Sequence, residues 1–174
     1  MMEVLEDRKG WREAFRRGWL AHFEATGEFD WSLYKRPTNT QSPSGPAIDL
    51  AGAQLVLIST AGGYLPGEQD QFEAADPLGD YSIRQFPAST GLDRISFAHG
   101  HYDHSAVELD AEVLLPLRLL EEMRQEGRIG RISDSVISLM GYQPDVIRVL
   151  DETVPAVVSA VKEQRADAAL LVPS

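Results

Sequence analysis

Three of the four histidines in this 174-residue chain, His99, His101 and His104, fall within six residues, in Ala98-His99-Gly100-His101-Tyr102-Asp103-His104. Imidazole alone among side chains titrates near neutrality without help, so His99 and His101, with the Asp103 carboxylate, are candidate catalytic acid–base groups. The same residue types suit a metal. Imidazoles two apart on extended backbone can converge on one ion, and a carboxylate can complete the set, making His99, His101, Asp103 and His104 a candidate zinc site. The preceding Ile95-Ser96-Phe97-Ala98 reads as a short buried strand. The side chains therefore change from core-forming to chemical at a strand end, where α/β proteins carry their sites.

Other residues suited to binding lie at comparable positions. Gly62, Gly63 and Tyr64 follow the apolar run Ala53 to Ser59. Two adjacent glycines there permit positive φ or close backbone approach to a ligand. The run lacks the Lys-Ser/Thr of a P-loop and the third glycine of a dinucleotide fingerprint, so turn and anion cradle stay open. Asp80 and Arg84 form a candidate acid–base pair after the turn signals Asp76-Pro77 and Gly79-Asp80. Met140 and Gly141 mark another turn after an apolar run.

The elements that must position these residues follow from the hydrophobic pattern. Trp11, Phe15, Trp19 and Phe23 recur every four residues, which predicts an amphipathic helix from Asp7 to Thr26 capped by Gly27. A Pro/Ser-rich connector follows, a composition that favours mobility. The expected organisation is therefore an N-terminal helix and connector over 1–46 and an α/β domain over 47–174. Within that domain, Ala53–Ser59, Arg94–Ala98, Ile132–Leu139 and Ala168–Val172 read as strands, and Tyr81–Phe86 as extended. A helix starts at Pro116 and stops at Gly127, and 144–166 is helical with a break or restart at Pro155. The alternation predicts a three-layer α/β fold: a mostly parallel sheet of about four to five strands with flanking helices.

A formal charge of −11 opposes binding to nucleic acid or an anionic membrane surface. No apolar run approaches the roughly 20 residues of a membrane span, and the acidic start lacks a signal-peptide layout, so a cytoplasmic location is expected. There is no cysteine, hence no disulfide, thiolate ligand or sulfur nucleophile in these residues. An exposed sheet edge near the terminus favours a homo-oligomer.

His99-x-His101-x-Asp103-His104 matches the H-x-H-x-D-H pattern of the metallo-β-lactamase superfamily. No histidine follows His104, however, and the layout is of parallel α/β type. Taken in order, other segments resemble the B-component family of the D-proline and glycine/sarcosine/betaine reductases. They are Ser59-Thr60-Ala61-Gly62-Gly63, Gly79-Asp80-Tyr81-Ser82-Ile83-Arg84, His99-Gly100-His101-Tyr102-Asp103, Leu115-Pro116-Leu117-Arg118-Leu119-Leu120, Glu126-Gly127-Arg128-Ile129-Gly130, Leu139-Met140-Gly141, Glu152-Thr153-Val154-Pro155 and Ala166-Asp167-Ala168-Ala169-Leu170-Leu171.

The resemblance implies reductive cleavage of a C–N bond in a small amino acid or amine. Gly62, Gly63, Tyr64, Asp80, Arg84, Met140 and Gly141 would contact the small-molecule substrate, and His99, His101 and Asp103 would act on it. It further implies other reductase subunits as partners, one of them bearing a pyruvoyl group that activates the substrate amine. A cysteine or selenocysteine would follow the last strand, just beyond Ser174, so the expectation is a domain cut short at a selenocysteine codon. The alternative is a non-redox paralogue using the histidine cluster to bind a metal or small ligand, a metal-dependent hydrolase included.

Overall fold

The computed structural model describes residues 4–41, 45–98 and 105–174. The chain divides into two compact units, Met1–Pro46 with Asp145–Ile147, and Ala47–Pro144 with Arg148–Ser174.

In the smaller unit, helix α1 (residues 8–26) joins Arg8–Phe15, a widened π turn Arg16–Leu20 and Ala21–Thr26. Asp7 caps it by accepting the Gly10 N–H at 3.0 Å, and Gly27 ends it at φ 73°. The four-residue aromatic repeat becomes a stack, with centroids 5.1 Å apart for Trp11–Phe15, 5.5 Å for Phe15–Trp19 and 6.0 Å for Trp19–Phe23. The connector is less free than its composition suggests. Tyr34 sets its ring edge-on to Trp11, Phe15 and Trp19, Lys35 takes the Trp11 indole N–H at 2.8 Å, and Thr40 donates its N–H to Glu6 at 2.8 Å.

The larger unit is α/β. Its central strand β1 (Gln54–Ser59) is a continuous apolar run because both of its faces are covered. The other elements in chain order are β2 (Gly63–Tyr64), β3 (Arg84–Pro87), β4 (Ser96–Phe97), α2 (Ser105–Leu109), α3 (Leu117–Gln125), β5 (Arg131–Ile132), β6 (Ser135–Ser138), α4 (residues 146–163) and β7 (Ala168–Val172). Strand β1 pairs in parallel with the whole of β7, from Leu55↔Ala168 to Ser59↔Val172. On its other side it pairs in parallel with β5 at its start and β6 at its end. The register moves from Gln54↔Arg131 to Ile58↔Ile137, so two extra residues, Ser133 and Asp134, split the predicted 132–139 strand. Strand β3 runs antiparallel on the far edge of β6.

The three layers follow from side-chain alternation across this sheet. One face presents Leu55, Leu57, Val136 and Phe86, covered by Leu117 and Leu120 of α3 and by Leu115, Ile95 and Phe97. The other presents Val56, Ile58 and Ile137 to Val157, Ala160 and Val161 of α4. Helix α4 runs through Pro155 because the turn before it, Val149–Thr153, is widened. Proline has no N–H to donate, and its ring crowds the carbonyl four residues back.

One expected strand is placed differently. Of Arg94–Ala98, only Ser96–Phe97 forms a strand, and it pairs antiparallel with Gly63–Tyr64 as a separate two-stranded ribbon. Leu92–Arg94 turns as a 3₁₀ helix instead. Four apolar-looking residues suffice for a ribbon strand packed on a sheet, and periodicity does not separate that from a strand within the sheet.

Candidate active site

The carboxyl ends of β1, β6 and β7 meet at one edge of the sheet, held by backbone bonds beyond the ladders. Thr60 donates its N–H to Val172 at 3.1 Å, Leu139 donates to Ser59 at 3.0 Å, and Gly62 donates to Leu139 at 3.0 Å. Ala61 bridges Met140. Gly62 takes φ 68°, the left-handed region where glycine is unstrained. Gly63 then enters the ribbon opposite Phe97, and Ala98 donates its N–H to Gly62 at 3.0 Å. The turn after β1, the turn after β6, the end of β7 and the start of the histidine segment are thus brought together. His99, His101, Asp103 and His104 themselves lie outside the described residues. Among the described residues, no group of three or more His, Cys, Asp or Glu could hold a metal ion.

A polar row crosses the sheet at this edge. Ser138 is in register with Ser59 on one side and Arg84 on the other, so the three side chains share a face with Leu57, Val136 and Phe86 one row behind. Ser59 and Ser138 are both 0% exposed. Ser59 Oγ accepts the Ala61 N–H at 3.3 Å, whereas Ser138 Oγ has no hydrogen-bond partner among the described residues. Gly63 passes over it: a Cβ built there would lie 3.5 Å from Ser138 Oγ.

Asp80 and Arg84 meet each other, 3.9 Å apart, and both also hold the loop over residues 66–82. Arg84 donates to the carbonyls of Asp70 at 2.8 Å and Gln71 at 3.4 Å and to Ser82 Oγ at 2.7 Å. Its guanidinium lies 4.3 Å over the Phe72 ring. Asp80 accepts the N–H groups of Glu73 at 3.0 Å and Ser82 at 2.8 Å, and the Ser82 hydroxyl. Partial burial works to raise its pKa, yet these hydrogen bonds and the Arg84 charge together outweigh burial and leave the carboxyl below its ordinary value. Asp80 also lines a cleft of about 470 Å³ with Glu73, Tyr81, Arg148 and Glu152.

Met140 is wholly buried against Phe72 and Ala98, with Tyr64 packed beside it, while Gly141 is exposed. The next residue, Tyr142, donates its hydroxyl to the Pro77 carbonyl at 2.9 Å. Burial, with the nearby Asp76 charge, pushes that phenol up to about 12.

Sequence reasoning missed Ser59, Thr60 and Ser138. Their signal was a serine at the carboxyl end of each of two otherwise apolar strands, Leu57-Ile58-Ser59 and Val136-Ile137-Ser138. A polar residue that ends a doubly covered strand is costly unless it is paired or used.

A mostly parallel sheet covered by helices, with glycine turns and buried hydroxyls gathered at the carboxyl edge, defines an α/β protein, the class in which ligands generally bind at that edge. Residues 25–173 match the family described as Glycine/sarcosine/betaine reductase selenoprotein B, and the chain belongs to that family. It is 38% identical over 109 residues to a glycine reductase complex component B subunit gamma of Carboxydothermus hydrogenoformans, covering 60% of this chain and 25% of the relative. It is 28% identical over 123 residues to a D-proline reductase subunit gamma of Acetoanaerobium sticklandii, covering 71% and 49% respectively. A sarcosine reductase complex component B subunit beta of Peptoclostridium acidaminophilum is 30% identical over 118 residues, with 66% and 27% covered. The aligned part therefore spans a quarter to a half of the length of these relatives. No solved structure matches the chain.

Proposed function

We propose that this chain is part of a reductase that cleaves a C–N bond in a small amino acid or amine. Net, the C–N bond is replaced by C–H and N–H bonds, at the expense of two electrons and two protons supplied by a reductant. The observation that carries the reading is the family match over residues 25–173, which runs through every turn at the carboxyl edge of the sheet. In this reading Gly62, Gly63, Tyr64, Met140 and Gly141 shape the substrate pocket, and Asp80 and Arg84 hold the loop above it. His99, His101 and Asp103 move protons at the substrate. The nucleophile, as the resemblance implies, is a thiol or selenol that follows the last strand. Other reductase subunits and a second copy of the chain are the expected partners, in the cytoplasm.

The test is to tag the chain in its source cells, isolate it with whatever it binds, and supply glycine, sarcosine, betaine or D-proline with a dithiol reductant. Mass spectrometry should find the C–N-cleaved product from at least one of them, and His99→Ala should lower its yield. A complex that leaves all four substrates intact sinks the reading.

The spacing of His99, His101, Asp103 and His104 supports a second reading, a non-redox paralogue that binds zinc through these four residues. Zinc titration of wild type and His101→Ala decides it, because equal and negligible uptake by both removes this reading.

A further inference from the structure

The two halves of the loop over residues 66–82 are held in different ways. Tyr142, Gln143 and Thr153 donate to the carbonyls of Pro77, Asp80 and Tyr81 and fix the second half. In the first half, from Pro66 to Asp76, Phe72 alone is buried, at 2% exposed. Its ring lies against Met140 and Ala98, with Tyr64 beside them, and the Arg84 guanidinium covers it at 4.3 Å from the ring centroid. The same guanidinium donates to the Asp70 carbonyl at 2.8 Å and the Gln71 carbonyl at 3.4 Å, the two residues just before Phe72. Asp80 lies 3.9 Å from it, beyond hydrogen-bond length, so those donors stay with the loop carbonyls. Gly67 opens the segment at φ 79°, and a Cβ there would meet nothing within 4 Å, which leaves the chain room to pivot.

The first half of the loop thus sets an apolar group in a seat at the carboxyl edge and carbonyl oxygens on a guanidinium beside it. A small carboxylate with an apolar body offers the same two chemistries in one molecule. Its charged oxygens are stronger acceptors for a guanidinium fork than neutral backbone carbonyls are. We propose that residues 66–76 are a lid whose Phe72 occupies the binding site of such a ligand. The ligand's apolar part takes the place of the Phe72 ring against Met140, Ala98 and Tyr64, and its carboxylate takes the place of the Asp70 and Gln71 carbonyls on Arg84. The proposal rests on the functional reading above in taking that carboxylate to be the amino-acid substrate. Lid and ligand compete for the same atoms. Binding therefore raises the open fraction, and the open fraction sets the affinity measured.

The experiment uses the full chain and two probes of nearly equal shape, sodium propionate and neutral propionamide, at matched ionic strength. Amide exchange is followed at Glu73, whose N–H is bonded to Asp80 in the closed lid, and at Val56 to Ile58 in the central strand. Affinity is read from the shifts of the Gly62 and Gly63 amides during titration. In wild type, propionate should speed exchange at Glu73 and leave the central strand unchanged, while propionamide should do neither. Phe72→Ala should speed exchange at Glu73 and bind propionate more tightly by a comparable factor, on the order of tenfold. Arg84→Gln should lose the response to propionate. If Phe72→Ala also loses protection in the central strand, Phe72→Leu, which keeps more of the packing, takes its place. Three results overturn the lid: equal responses of wild type to the two probes, a propionate affinity unchanged by removing the ring from an intact fold, or a propionate response that persists in Arg84→Gln. None of these readings involves turnover. Failure to cleave any of the four substrates overturns the functional reading and the identity of the carboxylate, while the lid is decided by exchange and affinity alone.

Discussion

Ser138 and Asp80 show two opposite ways of keeping a polar group near the carboxyl edge. The Ser138 hydroxyl is fully buried and has no partner among the described residues, a state that costs about 1–3 kcal/mol relative to a satisfied or apolar group. Ser138→Ala should therefore stabilise the protein by about 1 kcal/mol, read as a rise in thermal midpoint. A clear fall would mean that the hydroxyl finds a partner in solution, an ordered water being the obvious one. Asp80, by contrast, is held ionised by Ser82, Glu73 and Arg84 against the pull of burial. Its folded pKa lies below that of the unfolded chain, so its contribution is fully present above the unfolded value of about 3.9. That contribution is lost as pH falls through the folded value. Asp80→Asn should accordingly be less stable than wild type at pH 7, and the gap should close as the pH falls below about 4. A gap that stays constant with pH would show that the carboxylate charge plays no part in holding the loop.

The elements that were legible from sequence are those whose residues are fixed by covering layers on the sheet. Gln54–Ser59 and Ala168–Val172 lie within a residue of their predicted bounds; the first is an apolar run buried almost throughout, while the second turns only Ala168, Leu170 and Val172 toward the core and leaves Ala169 and Leu171 exposed. The helix after Pro116 and its stop at Gly127, where φ is 73°, were equally legible through proline and glycine chemistry. Pairing partners were not. Nothing local in Ile95-Ser96-Phe97 says that it joins a two-stranded ribbon, and nothing in Ser133-Asp134 announces a two-residue interruption, since both depend on neighbours distant in sequence. At the site, the turns were visible as glycines, but the Ser59–Ser138–Arg84 row exists only through register across three strands. The loop over residues 66–82 is another long-range product. It is pinned by Gln143, which donates to the Asp80 carbonyl at 2.8 Å, and by Thr153, which donates to the Tyr81 carbonyl at 2.9 Å. Gly79 lets the loop seat, with φ 77° and a would-be Cβ only 2.3 Å from the Tyr142 carbonyl. Gly79→Ala combines that clash with left-handed strain and should cost about 2–3 kcal/mol, measured by denaturant unfolding. A loss under about 0.5 kcal/mol would mean that the loop reseats freely and does not form a fixed cover over the edge.

Charge is distributed very unevenly over the whole molecule. Residues 1–46 hold 7 Lys/Arg and 7 Asp/Glu, while residues 47–174 hold 9 against 20, so the entire −11 falls on the α/β part of the chain. Five of those arginines already sit in exposed ion pairs, Arg94–Glu68, Arg118–Glu122, Arg124–Glu121, Arg128–Glu126 and Arg148–Glu152. Such pairs contribute little each, roughly 0–1 kcal/mol, and salt weakens them. The surplus carboxylates repel one another over longer distances, and salt weakens that repulsion as well. The two effects oppose each other, and the ratio of 20 acids to 9 bases decides the sign. Raising sodium chloride from about 0.01 M to about 0.5 M shortens the screening length from roughly 30 Å to roughly 4 Å. Repulsion summed over many distant carboxylates then falls by more than attraction summed over five close pairs. The thermal midpoint should rise across that range at pH 7, and rise less at pH 5, where protonation begins to remove part of the repulsion. A midpoint that falls with salt would show that the surface pairs outweigh the net charge, and the same Arg–Glu pairs along α3 and α4 would then be the first to test by double-mutant cycles.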